Sequence, residues 1–142
     1  MPPPARRIPT MSLKIEVSVG ELLDKITILE IKSERIPDKS KLANVRKELK
    51  VLRGAWEASP LSKTDVTAEI ADLKRVNEAL WDIEDDIRQK EADNTFDDGF
   101  VELARSVYKQ NDRRAAIKRE LNRKLGSTLV EEKSYKDYSS PE

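Results

Sequence analysis

The sequence predicts an all-α fold: an antiparallel bundle of about four helices, arranged as a shorter and a longer helical hairpin. Three observations predict it. Apolar residues recur at three- and four-residue spacing through several long stretches, the signature of one-sided helices. Charged residues make up 38% of the chain and glycine supplies only four positions, a composition that suits long solvated helices better than a sheet. The stretches are separated by short breaks rich in Pro, Asp and Ser, and short connections make neighbouring helices antiparallel.

The first helix is expected over about 19–35. Ser18 and Glu21 fit a capping box at its start, and Pro37 pushes Ile36 out of helical geometry at its end. Leu22, Ile26, Leu29 and Ile36 share one side, while Ile28 and Ile31 lie nearly opposite. A helix that is apolar on two sides needs two partners, so it is central in the bundle or shared with a second subunit. Asp38 is placed to cap a second helix over about 39–58, whose stripe is Leu42, Val45, Leu49, Leu52 and Trp56.

Ser59-Pro60 closes that helix, and Ser62 with Asp65 is expected to open the third, which should run to about residue 92. Its core positions are Val66, Ile70, Leu73, Val76, Leu80, Ile83 and Ile87. After a break over 93–98, Asp97 or Thr95 caps the fourth helix and Gly126 stops it. Residues 1–12 read as a disordered leader, 13–126 as the bundle and 127–142 as a tail that Leu129, Val130, Tyr135 and Tyr138 could dock. The short KIEV run at 14–17 could be extended. At about 1.5 Å per residue the longer hairpin outreaches the shorter by more than a turn. It either projects or is covered by a second copy, and a homodimer, coiled-coil-like in its packing, is the expected solution.

Composition narrows the chemistry. The chain contains no cysteine and no histidine, which removes disulfides, thiolate chemistry, the Ser-His triad and the commonest transition-metal ligand. Catalysis would have to rest on carboxylates, Lys, Arg, Tyr or hydroxyls, so an accessory role is favoured over an enzyme, with no cofactor and no metal expected. Twenty-seven basic residues balance twenty-seven acidic ones, which argues against a nucleic-acid partner. No apolar run approaches a membrane span, and a soluble cytoplasmic protein is the expectation.

The strongest local signal is a conflict in the fourth helix. Winding 97–125 at about 100° per residue puts Phe100, Leu103, Val107, Leu121 and Leu125 on one face. Arg114 sits near the centre of that face, with Lys118 and Asn111 beside it. Buried charge is costly unless it is paired. The third helix carries its own intrusions at Glu69, Asn77 and Glu84. With the turn centred near residue 94, Asn77 comes level with Arg114, Glu84 with Arg105, and Glu69 lies about one turn from Lys118. Residues 82–98 hold eight acids against two bases, and 105–124 eight bases against two acids.

Three readings follow, the plainest being that these side chains sit at the rim and snorkel to solvent without consequence. In the second, these residues form a polar layer that fixes register in the long hairpin or a dimer. Alternatively Arg114 clamps an anionic small molecule, with Lys118 as a point charge and Asn77 and Glu84 lining the pocket. Asp82, Glu84, Asp85 and Asp86 also form an acidic run, but they point several ways around their helix. Trp56 and Trp81 read as packing residues, and the Arg105, Lys109, Arg119 and Arg123 stripe as a solvated face.

The blocks SVGELLDKITILEIKSERI (18–36), KLANVRKEL (41–49), NEALWDIEDDIR (77–88), ELARSVYKQNDRRAAIKREL (102–121) and EEKSY (131–135) resemble an uncharacterised family of small bacterial and phage proteins. The likeness spans about residues 13–135, points to Met11 as the usual start, and implies no activity and no functional residues. A weaker resemblance is to the all-helical chorismate mutases, through acidic and apolar residues leading from Leu23-Asp24 to Arg35. It implies a dicarboxylate held between helices by Arg35, Arg114 and Lys118, without a cofactor. The sequence departs from that family where Pro37 ends the first helix.

Overall fold

A computed structural model describes residues 11–138, and its regular elements are all helical. The order is α1 (Val19–Arg35), α2 (Lys39–Ala58), a single 3-10 turn (Pro60–Lys63), α3 (Thr67–Ala92) and α4 (Asp98–Leu125). The expected four-helix bundle of two hairpins is the observed fold. Residues 1–10 of the expected leader lie outside the described residues, and 11–18 form no regular element.

Local chemistry sets the ends. Ser18 Oγ accepts from the Glu21 backbone N–H at 3.2 Å, Asp38 Oδ1 from Lys41 at 2.9 Å and Asp97 Oδ1 from Phe100 at 2.9 Å. Gly126 closes α4 in the left-handed region at φ 65°, where a side chain would be strained. Two expectations need correction. The Ser18 box is half formed, because the Glu21 carboxylate turns away to Lys118. Ser62 does not open α3: it belongs to the 3-10 turn and donates back to the Ser59 carbonyl at 2.8 Å, while Asp65 accepts from the Thr67 N–H.

α1 is the central element, packing against α2, α3 and α4 as its two apolar sides require. Leu23, Ile26 and Leu29 join Val45 and Leu49 of α2, Val66, Leu73 of α3, and Leu121 and Leu125 of α4 in one core. Ile31 is buried on the other side of α1. α3 and α4 rise roughly 39 and 42 Å, against roughly 26 Å for α1. Burial follows this mismatch. The buried α3 residues are Leu73, Val76 and Asn77, all in its first half, and those of α4 are Lys118, Leu121, Asn122 and Leu125, all in its last turns. Leu80, Ile83, Ile87, Phe100, Leu103 and Val107 follow the apolar pattern but stay half-buried, since the end of α1 reaches only to the level of Leu80 and Asp82.

Candidate functional site

α1 crosses the long hairpin where Asp24 meets Asn77 and Arg114. Asp24 is fully buried. Arg114 grips it with two parallel bonds, Nε to Oδ1 at 2.9 Å and Nη2 to Oδ2, the fork geometry that only guanidinium offers a carboxylate. Asn77 Nδ2 donates to Asp24 Oδ1 and to Thr27 Oγ1, each at 2.9 Å, and Thr27 Oγ1 donates to the Asp24 carbonyl at 2.8 Å. One turn along α4, Lys118 Nζ donates to Glu21 at 2.6 Å and to Glu131 at 3.0 Å, and lies 3.8 Å from Asp24. Among the described residues no buried side-chain nitrogen or oxygen lacks a partner. The cluster is closed on itself.

This is a polar layer, but not one internal to the long hairpin. The acid that holds Arg114 comes from α1, not from Glu84 or Glu69. Glu84 pairs with Arg88 on its own helix at 3.4 Å, and Glu69 meets Lys124 at 2.6 Å. Arg105 pairs with Glu102. The reason is the place of α1: it packs on both α3 and α4, and at the level of Asn77 it supplies the carboxylate that Arg114 grips. Of the five residues singled out by sequence, Arg114 and Asn77 touch the same carboxylate, and Lys118 lies one turn away. Arg35 sits apart, bonded to Asp82 at 2.5 Å with its guanidinium 6.0 Å from the Trp81 ring centre.

Glu84, Asn77 and Arg114 nevertheless share the wall of an open groove of about 560 Å³, floored by Ile28, Ile31, Leu80 and Trp81. Among the described residues, no group of three or more carboxylates is placed to hold a metal ion, and no helix is long and apolar enough to cross a membrane. Three members of this region, Asp24, Thr27 and Asn122, are not among the site residues that the sequence singles out. Asp24 carried the same signal that exposed Arg114, since it shares a helical face with Ile28 and Ile31. Asn122 Oδ1 accepts from the Gly20 N–H at 2.7 Å, and Ser127 Oγ from Val19 at 3.3 Å. These two satisfy first-turn donors of α1 that no helix can satisfy internally.

Electrostatics give the layer a pH signature. Burial pushes the Asp24 carboxyl up, but the bonds from Arg114 and Asn77 and the charges of Arg114 and Lys118 outweigh it and hold it below its ordinary 3.8. Burial likewise lowers Lys118, and Glu21 and Glu131 more than reverse it, leaving Lys118 above its ordinary 10.5. A carboxylate depressed on folding contributes stability that is complete above its unfolded value and is lost as pH falls through the folded one. Urea midpoints are therefore expected to hold from neutrality down to about pH 4 and then fall, with a shallower acid limb in Asp24→Asn. An acid limb equally steep in wild type and Asp24→Asn would show that the layer does not set it.

The chain belongs to a family of unknown function, DUF6165, whose profile matches residues 13–142. The match takes in the tail as well as the helices. No curated protein and no solved structure matches the chain, so the likeness to chorismate mutases gains no support from them.

Proposed function

We propose that this protein is a soluble, cytoplasmic helical interaction module, non-catalytic, that pairs with a second copy through the projecting half of the α3–α4 hairpin. One observation carries the reading: that half keeps an apolar stripe yet buries no residue completely. Phe96 and Val101, 56% and 51% exposed, extend the uncovered surface to the tip. A solitary two-helix hairpin has one seam and no third wall, and bundles of this kind are completed by further helices.

Charge favours a second copy as the cover. Asp85 and Asp86 on α3 and Lys109 and Arg113 on α4 make no ion pair within the described chain. When two hairpins stack about a two-fold axis along the bundle, α3 of one lies beside α4 of the other, so the acidic helix meets the basic one twice. The polar layer then serves register: it fixes how far α1 reaches along the hairpin and where the open surface begins.

Sedimentation equilibrium at tens of micromolar is expected to give about twice the 16.2 kDa chain mass. Trp81→Glu and Phe100→Glu, each at a half-buried position, should return the protein to a monomer with unchanged helical circular dichroism, weakening association by at least about a hundredfold. A wild-type protein that stays monomeric removes the self-association. A dimer indifferent to both changes removes the surface.

A second reading has the groove in its favour, since Arg114, Asn77 and Glu84 line it together. In it the protein takes a small anionic ligand, or is a cofactor-free enzyme of the chorismate-mutase type. Such a ligand must displace Asp24 from Arg114 or bond beside it. Thermal shift with dicarboxylates separates the readings, because a ligand at about 100 times its Kd adds about 2.7 kcal/mol. Millimolar chorismate and prephenate without effect would leave this reading unsupported.

A further inference from the structure

Beyond Gly126 the tail continues without helix or strand among the described residues. It is pinned at two points, by Glu131 on Lys118 at 3.0 Å and by Tyr138, whose hydroxyl donates to Asp112 Oδ2 at 2.6 Å and whose ring meets Tyr108 edge-on at 4.9 Å. Extended chain from residue 131 to 138 reaches up to roughly 23 Å at about 3.3 Å per residue. The α4 surface from Lys118 back to Tyr108 rises only about 15 Å. The segment therefore has length to spare, and it forms an arch that lines, together with α4, a cavity of about 940 Å³.

The lining of that cavity is selective. All three tyrosines of the chain, Tyr108, Tyr135 and Tyr138, border it. Its floor is the turn-by-turn row Val107, Asn111 and Ala115 on α4, with the smallest side chain at Ala115. Three cations, Arg119 from α4 with Lys133 and Lys136 from the arch, share the walls with two carboxylates, Asp112 and Asp137. Arg119 and Lys136 make no ion pair within the described chain, and the nearby carboxylates of Glu131 and Asp112 are engaged by Lys118 and Tyr138. Tyr135, at the crown of the arch, is 79% exposed.

We propose that the space between the arch and α4 is a binding site for an aromatic phosphate, of which a nucleoside monophosphate is the simplest. The ring lies over Ala115 against the tyrosines, which stack on any planar base. The phosphate, a dianion, meets Arg119 and the two lysines, and three cations match it better than they match a single carboxylate charge. Asn111 offers an amide to the polar edge of the ring. The volume is in the range of small-molecule sites. The family match reaches beyond the arch, so this segment belongs to the family's own extent. The site does not rest on self-association.

Isothermal titration of the full chain with AMP, adenosine and inorganic phosphate tests the proposal. AMP should bind, with adenosine and phosphate each at least about tenfold weaker, because each fills half of the site. Arg119→Ala and Tyr135→Ala replace exposed side chains and leave the fold intact, and each should weaken AMP about tenfold. Absence of AMP binding at millimolar concentration overturns the proposal. So does AMP binding that neither substitution weakens, or phosphate binding as tight as AMP.

Discussion

Replacing Arg114 with leucine is expected to lower the unfolding free energy by about 3–5 kcal/mol, the usual cost of leaving one member of a buried ion pair without its partner. The stranded group is Asp24, fully buried on α1. Lys118 at 3.8 Å and the Asn77 amide at 2.9 Å remain near it, but neither replaces a two-point guanidinium. Changing Asp24 to leucine together with Arg114 should restore much of the loss, since the apolar pair no longer carries uncompensated charge. Urea unfolding of the two single variants and the double one gives the coupling directly, and groups in contact typically couple by roughly 0.5–3 kcal/mol. Losses that simply add, with no coupling, would show that the pair does not act as a unit. An Arg114→Leu protein more stable than wild type would instead mark Arg114 as a charge kept for a ligand.

Gly20→Ala is the second large effect, and it comes from space rather than charge. A Cβ at Gly20 would stand 2.6 Å from the Lys118 carbonyl oxygen and 2.9 Å from Asn122 Oδ1. The first is backbone and cannot swing aside, so α1 and α4 must separate. Forced shifts of this kind cost about 1–3 kcal/mol. If the Asn122 bond to the Gly20 N–H goes with them, a buried unpaired donor adds about 1–3 kcal/mol more. Gly54→Ala is the matched control. It lies within α2 with nothing within 4 Å of an added Cβ, so it should stabilise by about 0.5–1 kcal/mol. Equal effects of the two substitutions in denaturant titrations would refute the close approach of α1 and α4.

The four helices were legible in the sequence because their signals are local. Ser18, Asp38, Asp97, Pro37 and Gly126 act on the turn they sit in, and the apolar spacing reports which side must be covered whatever covers it. Arg114 and Lys118 were legible as intruders by the same arithmetic. The two-sided character of α1 likewise foretold its central place. Local signals failed only where a side chain had a competing partner, as Glu21 has in Lys118 and Ser62 in the Ser59 carbonyl.

What the sequence could not determine was the partner of each intruder, because that depends on how α1 lies across the hairpin. Matching residues level by level along α3 and α4 sets Asn77 beside Arg114, Glu84 beside Arg105 and Glu69 about a turn from Lys118, and offers Arg114 no acid but those of α3. The tertiary structure brought in Asp24 from α1 and left Glu84 on the surface with Arg88. The placement of α1 rests on contacts distant in sequence, above all the close approach of Gly20 to the Lys118 carbonyl and the bond from the Gly20 N–H to Asn122. The arch of the tail is equally a tertiary outcome, since its two pins, Glu131 and Tyr138, find their partners only once α4 is in place. Periodicity determines which face of a helix must be buried, whereas the neighbour that buries it is chosen by packing among all the helices at once.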